Sequence, residues 1–387
     1  MNLLFFSGNR AEVDIIFNII ENIVMTSNGV ISICSGIYIL MGGYHDAGSI
    51  DEFHQERADQ LNIELFHINQ TAINIDSTVQ NVISQTIEEM SSWLVGLDKK
   101  CIVCIYADRA ESFGASIAAF THGLPIIHIE GGEVTKGGTF DDRFRHAISA
   151  LSDFHLPVSV EAKKVLLGMG YAEKNIGVFP LCFRKPRLDS LKNWQIEILQ
   201  KAKLCSKIVI ATFHPLSNNL PQSSIEVSEF FKAIGEIQKM ADVVILTYPN
   251  NDQGSHEILG KIFEFKDSFD ALVVPSLGLD LYHMILGLSG SEDRIVLSVG
   301  NSSSGLKEVG YWGCTAINVG RRQDGRHKPE HVMDVPAVAT TIISVVQKCL
   351  NEKYKARSSE VQQAERKLAQ RSLKRAITQN NERLQRG

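Results

Sequence analysis

The stretch CIVCIYADRAESFGASIAAFTHGLPIIHIEGGE, Cys101–Glu133, contains the unit from which the fold is built. Cys101–Tyr106 is an apolar run of strand length, Glu111–His122 spaces its apolar residues as a helix does, and Ile126–Ile129 is a second short apolar run. Strands that are apolar throughout belong to a sheet covered on both faces. A strand–helix–strand repeat of this length is the crossover unit of a parallel sheet.

The same alternation continues outward. Leu3–Ser7 reads as a first strand and Glu12–Met25 as the helix after it. Val30–Leu40, Ile63–Ile68 and Phe154–Val158 read as strands, and Thr78–Leu97 as a helix. The pattern fades over Leu181–Ser206, where LCFRKPRLDSLKNWQ carries Pro and charges, and this segment reads as a linker. A second series follows, with strands at Lys207–Phe213, Val243–Thr247, Leu272–Val274, Arg294–Val299 and Ala316–Val319 and a helix at Glu226–Met240. The expected fold class is α/β, with two doubly wound Rossmann-like domains, residues 1–182 and 205–350, facing a cleft. In such sheets ligands sit beyond the carboxyl ends of the strands. The tail, 351–387, is rich in Lys, Arg, Gln and Glu, with Val361, Leu368, Leu373, Ile377 and Leu384 at roughly helical spacing. It reads as a charged amphipathic helix packed on one side.

Composition narrows the function. A chain of 387 residues with 44% hydrophobic and 21% charged residues is that of a globular protein with two domains. A formal charge of −5 argues against a general nucleic-acid binder. Cys34, Cys101, Cys104, Cys182, Cys205, Cys314 and Cys349 are odd in number and irregularly spaced, so no disulfide framework is expected. Cys101 and Cys104 lie in an apolar run and read as buried strand thiols rather than zinc ligands. No basic region precedes LLFF, and the longest apolar stretch, near Val30–Met41, is too interrupted to span a bilayer. A cytoplasmic protein without membrane association is expected. No G-x-G-x-x-G or G-x-x-x-x-G-K-[ST] occurs, so neither a dinucleotide site nor a P-loop is expected.

Chemistry gathers where strands end. Cys101–Tyr106 runs into Ala107-Asp108-Arg109, Ile126–Ile129 into Glu130-Gly131-Gly132-Glu133, and Asp141-Asp142 precedes a helical stretch. Carboxylates converging on one sheet edge raise each other's pKa and suit acid and base work. Asp142 alone reads equally well as a helix cap. Gly131 and Gly132 would let the backbone approach a ligand. In the second series Gly300-Asn301-Ser302-Ser303-Ser304-Gly305 follows a strand and opens a helix, leaving N–H groups to hold phosphate. Glu308 would accept ribose hydroxyls, or be a plain solvated carboxylate. Arg10 after the first strand, His214-Pro215 after KIVIATF, and the Arg321–Arg326 segment after AINV all fit an anionic ligand.

These blocks resemble a family. HIEGGE (His128–Glu133), DD-x-x-RHAIS (Asp141–Ser149), HP (His214-Pro215), YPNND-x-G (Tyr248–Gly254), GNSSSG (Gly300–Gly305) and NVG-x-RQ-x-GR (Asn318–Arg326) resemble the hydrolysing UDP-N-acetylglucosamine 2-epimerases of sialic-acid pathways. The resemblance implies a GT-B-like fold and a UDP-sugar substrate, with neither metal nor nicotinamide. It also implies anti elimination of UDP to a 2-acetamidoglucal, followed by hydration to the C2-inverted free sugar. The acid/base positions it implies are Asp108, Glu130, Asp141 and Asp142, with Arg10, His214 and Arg322 at the diphosphate; His214 is also a candidate catalytic residue and Arg109 a candidate substrate-binding one. It assigns Ser302, Ser303 and Glu308 to the nucleotide and Tyr282 to uracil stacking, and Asn301 and Ser304 of the same loop are further candidates for binding UDP. A homo-oligomer is expected. The sequence departs from the family pattern at Ala107, where the family has Gly, and at Asp14 and Ile15, where it has a small and a basic residue. Such departures fit a related sugar, such as the 2,4-diacetamido sugar of the legionaminic-acid route. A non-hydrolysing epimerase and a catalytically silent UDP-sugar binder are the alternatives.

Overall fold

In the computed structural model, which describes residues 1–386 except 9, 27–33, 43–50, 69–77, 98–100, 136–140, 217–218, 251–253, 269–270, 292 and 353–358, the strands form two parallel sheets. The first holds β1 (Asn2–Ser7), β2 (Gly36–Met41), β3 (Glu64–His67), β4 (Cys101–Tyr106), β5 (Ile126–Ile129) and β6 (Phe154–Leu156), in the order β3-β2-β1-β4-β5-β6. The second holds β7 (Lys207–Thr212), β8 (Val243–Thr247), β9 (Leu272–Val274), β10 (Ile295–Gly300), β11 (Thr315–Val319) and β12 (Val332–Val335), in the order β12-β11-β10-β7-β8-β9. Each is the doubly wound order. The strand sequence reverses between β1 and β4 in one sheet and between β7 and β10 in the other, and such reversals open a crevice at the carboxyl ends.

Alternation along the central strands explains why both faces are covered. On β7, Ile208 and Ile210 join one apolar cluster, while Val209 and Ala211 join the other. On β1, Leu4 and Phe6 pack with Val103 and Ile105 of β4, and Leu3 and Phe5 are fully buried on the opposite face. Cys101 and Cys104 are buried in β4 as free thiols.

Contacts divide the chain into two units. One comprises Met1–Val134, the helix Asp141–Leu151 onward to Arg184, and the C-terminal helix; the other comprises Lys185–Ser359 together with Thr135. Three features differ from the sequence expectation. The second strand starts at Gly36, and residues 30–33 of the expected run lie outside the described ones. The expected linker contains a helix, Asn193–Lys203, whose Ile198, Leu199 and Ala202 pack into the core beneath Ile208 and Ile210. Pro186 and the charges ahead of it mask that three-residue spacing in the sequence. The edge strand β12 is too short and too polar in MDV to stand out.

The tail returns to the first unit. Ala369, Leu373, Ala376 and Ile377 of the helix Ser359–Arg386 are fully buried, whereas Val361 and Leu368 stay exposed. Ser372 Oγ donates to the Val178 carbonyl at 2.7 Å, and the Arg375 guanidinium donates to the Ile176 carbonyl and covers the Phe154 ring. No described helix is long and apolar enough to cross a membrane.

Removing a fully buried leucine costs about 2–5 kcal/mol. Leu373→Ala is therefore expected to lower unfolding free energy by that amount in urea titrations of the full chain. A loss below about 1 kcal/mol would mean that the helix is not docked.

Candidate active site

The ends of β4 and β5 share an unusual backbone. Ala107 and Glu130 have φ of 64° and 68°, in the left-handed region. A residue with a Cβ there costs about 1–2 kcal/mol, and such strain is held where surrounding contacts enforce it. His128, fully buried in β5, supplies one of those contacts. Its Nε2 lies 2.8 Å from the Ala107 carbonyl and its Nδ1 lies 2.9 Å from Ser149 Oγ. A carbonyl only accepts, so Nε2 carries the proton and Nδ1 accepts from the serine. Burial pushes the imidazole down to about 4, which keeps it neutral at neutral pH.

The glycines of HIEGGE pack against protein, which corrects the expectation that they face a ligand. A Cβ on Gly131 would lie 2.9 Å from His128 Nδ1, and one on Gly132, at φ 85°, would lie 2.3 Å from the Ala162 carbonyl. They let the chain after β5 lie down on His128 and on the helix Val160–Gly168.

The carboxylates are joined by a residue that the sequence reading quoted but did not single out. Arg145, on the helix Asp141–Leu151, is 1% exposed. Its guanidinium bonds the Asp108 carboxylate, Asp142 Oδ1 at 2.5 Å and the Glu133 carbonyl at 2.9 Å. Asp142 and Arg145 are three residues apart on one helix and so share a face. Asp108 and Asp142 thus meet through a cation and not as two like charges side by side. Glu130 is buried at the neighbouring strand end.

Arg109 Nε lies 3.3 Å from Glu111 Oε2. The helix after β1 contributes Glu12, also not foreseen. It is buried, accepts the Gly8 N–H at 2.7 Å, and is pushed up to about 8, chiefly by burial. Asp14, the departure noted above, turns to the helix Asp51–Leu61. It lies 3.5 Å from His54 Nε2 and 3.6 Å from Arg57 Nη1. Within the motifs, residues 9, 136–140 and 251–253 and the side chains of Arg10 and Asp141 lie outside the described residues.

In the second unit, β7 and β10 end side by side. Gly300 pairs with Thr212, has φ 142°, and approaches so closely that a Cβ would lie 1.8 Å from the Thr212 carbonyl. That approach brings Asn301 under His214. The Asn301 amide accepts from the His214 N–H at 2.7 Å and donates to its carbonyl at 2.8 Å. Asn301 is fully buried, and its side chain positions His214. His214 Nδ1 accepts the Asn250 N–H at 3.2 Å, which leaves Nε2 as the protonated nitrogen of the neutral ring. Arg322 and Gln323 donate to the Asn301 carbonyl at 3.2 and 2.8 Å.

Ser302 caps the short helix Ser303–Lys307, and Ser304 and Tyr282 continue a hydroxyl chain from it. Ser304 Oγ donates to Ser302 at 3.1 Å and Tyr282 to Ser304 at 3.4 Å. Burial and the nearby Glu308 push the Tyr282 phenol up, so it stays a donor. Ser303 is half-buried at the helix start. Glu308 is buried and takes a 2.7 Å bond from His283 Nε2, which no sequence motif marked.

Comparison with known proteins gives consistent results. The family described as UDP-N-acetylglucosamine 2-epimerase matches residues 37–377. A UDP-N-acetylglucosamine 2-epimerase of Neisseria meningitidis serogroup B is 30% identical over 263 residues, covering 66% of this chain and 65% of its own, just under two thirds. A UDP-N,N'-diacetylbacillosamine 2-epimerase (hydrolyzing) of Legionella pneumophila is 25% identical, covering 90% of this chain and 89% of its own. The crystal structure of the Methanocaldococcus jannaschii UDP-GlcNAc 2-epimerase, in complex with UDP-GlcNAc and UDP, superposes with a TM-score of 0.70. It is 15% identical, covers 98% of this chain and 99% of its own, and so speaks to the fold alone.

Two predictions follow from the strand ends. Ala107→Gly relieves the left-handed strain and is expected to raise stability by about 1 kcal/mol in chemical denaturation. A decrease would show that the alanine side chain makes a contact worth more than the strain. The His128 pKa is lowered in the native state, so that state binds fewer protons than the unfolded chain between pH 6.5 and about 4. Stability should be full above pH 6.5 and fall as acid is added, by roughly 3 kcal/mol from this group. His128→Gln should flatten that part of the stability–pH curve. An unchanged slope would place the acid sensitivity elsewhere.

Proposed function

We propose a reaction on the ground of kinship: the chain belongs to the UDP-N-acetylglucosamine 2-epimerase family, and we infer that it acts in the hydrolysing manner. Its substrate would be UDP-GlcNAc or a related UDP-2-acetamido sugar. The observation that carries this reading is the acid set at the first unit's strand edge, where Arg145 draws Asp108 and Asp142 together beside Glu130. The Legionella relative, matched over most of both chains, bears a hydrolysing name, which supports the same choice.

The chemistry needs a base and an acid. A carboxylate removes the proton at C2, the C1–O bond to UDP breaks, and the C1–C2 double bond of a glycal forms. Water then adds its oxygen to C1 while a proton enters C2 from the opposite face, releasing the inverted free sugar. Asp108, Glu130, Asp141 and Asp142 supply these groups. Arg145 positions two of them and offsets their charge as the proton moves.

The second unit holds the leaving nucleotide. His214, with Nε2 protonated, donates to the diphosphate or protonates it as it leaves, and Arg322 adds positive charge. Ser302, Ser303, Ser304 and Glu308 bind ribose and phosphate oxygens, and Tyr282 stacks on uracil.

Incubation with UDP-GlcNAc and its 2,4-diacetamido analogue in deuterated water, followed by proton NMR, tests the reading. Free UDP and a free 2-acetamido sugar, inverted and deuterated at C2, are expected. An inverted sugar still joined to UDP would make the enzyme non-hydrolysing, and UDP binding without turnover of either sugar would make it a binding protein.

A further inference from the structure

Glu308 directly follows the short helix Ser303–Lys307, and that helix fixes its backbone: the Glu308 N–H donates to the Ser304 carbonyl at 2.8 Å. Its carboxylate is fixed by a different element. The helix Gly278–Gly287 sends His283 across to it, with Nε2 2.7 Å from Glu308 Oε2. Both side chains are buried. A carboxylate only accepts, so Nε2 carries the hydrogen. The imidazole is held in its turn by Trp312 of the turn Val309–Trp312, the two ring centroids lying 5.1 Å apart with planes tilted by 40°.

Tyr282, the preceding residue of the same helix, reaches the start of the short helix, where its hydroxyl donates to Ser304 Oγ at 3.4 Å. Successive side chains on a helix diverge by about 100°, so these two neighbours grip the nucleotide loop at two places, its serines and its glutamate. One helix of the second unit thereby sets both the hydroxyls and the carboxylate of that loop.

We propose that His283 is a positioning residue for ribose recognition: by holding Oε2 it fixes the plane of the Glu308 carboxylate and presents Oε1 to a ribose hydroxyl. This rests on the reading above that Glu308 accepts from ribose, and it adds the side chain that makes the acceptor rigid and so selects ribose over deoxyribose. A glutamate has three rotatable side-chain bonds, and an unheld carboxylate must be frozen at the moment of binding. A buried carboxylate with no donor is also costly, so without the imidazole it would swing toward water or take up a proton and lose acceptor strength. Held in place, it rewards a hydroxyl that donates to it and penalises a sugar that lacks one. His283 itself touches neither the ribose nor the reacting atoms.

The test measures, by calorimetry on the full-length protein, the affinities of UDP and of its 2′-deoxy and 3′-deoxy analogues. Wild-type protein should bind at least one deoxy analogue about tenfold or more weakly than UDP, the scale of a hydrogen bond to a charged group. In His283→Phe, which keeps a ring beside Trp312 and removes the donor, that ratio should shrink to within about threefold. His283→Gln, with an N–H at a similar reach, should restore most of it. A general loosening of the fold would weaken UDP and its deoxy analogues alike and leave the ratio unmoved. An unchanged ratio in His283→Phe therefore overturns the positioning role, as does a His283→Gln ratio no better than that of His283→Phe. A His283→Gln chain that does not fold also overturns it, because the pair would then serve the fold and not the ribose. Wild-type protein that binds UDP and both deoxy analogues equally overturns the ribose reading of Glu308, and failure to bind UDP at all overturns the nucleotide reading.

Discussion

A guanidinium buried to 1% exposure is the constraint on which the first unit's strand edge depends. Taking Arg145 out of water costs several kcal/mol unless its charge and its N–H groups are met. The fold meets them from three directions: a carboxylate at the end of β4, a carboxylate one helical turn earlier, and the carbonyl of the last residue of HIEGGE. Each partner comes from a different segment, so the bond set fixes the helix Asp141–Leu151 against β4 and β5. Acidic groups that would otherwise repel one another are held together at one edge. The neutral His128 completes the arrangement from below, bonding the strained Ala107 turn on one side and Ser149 of the same helix on the other.

The second unit repeats the topology with different means. Its reversal point is closed by neutral hydrogen bonds: an asparagine amide that accepts from and donates to the His214 backbone, and a glycine whose φ and closeness to β7 exclude a side chain. The loop after β11 is tied down in a similar way. Gly320, at φ 76°, lies against Glu226, and Gln323 reaches the Asn301 carbonyl. A unit that handles proton transfer at carbon needs carboxylates held in register. One that grips a nucleotide needs donors and hydroxyls held open. The two sets of contacts fit the roles proposed for the two units.

Much of this was legible in the sequence, and what was not has physical reasons. Apolar runs at strand length, spaced by helical patterns, gave the order of elements, because buried parallel strands cannot hide their composition. The strand-end positions of Asp108, Glu130, His214 and Gly300 were visible for the same reason. Arg145 was quoted within DD-x-x-RHAIS yet not singled out, since a lone arginine on a helix reads as a surface charge until its partners are known. Glu12 and His283 were missed because their surroundings come from residues about 100 and 25 positions away. Asn301 was grouped with the ligand as a member of the Gly300–Gly305 loop, and its bonds to the His214 backbone depend on the close approach of Gly300 to β7. The helix Asn193–Lys203 was hidden behind a proline and charges, and in the tail Ala369 and Ala376, which carry little hydrophobic signal, join the expected Leu373 and Ile377 in the core.

The central claim is that Arg145 holds the carboxylates for proton transfer at the sugar's C2 without itself gripping the nucleotide. Deuterium wash-in at C2, measured beside UDP affinity for Arg145→Lys, tests it most directly. A shorter, non-planar cation cannot bond both carboxylates at once, so wash-in should fall by about 100-fold or more, the scale of a lost acid–base group, with UDP affinity held within a few-fold. Wash-in and affinity falling together, or wash-in persisting near the wild-type rate, would contradict the account.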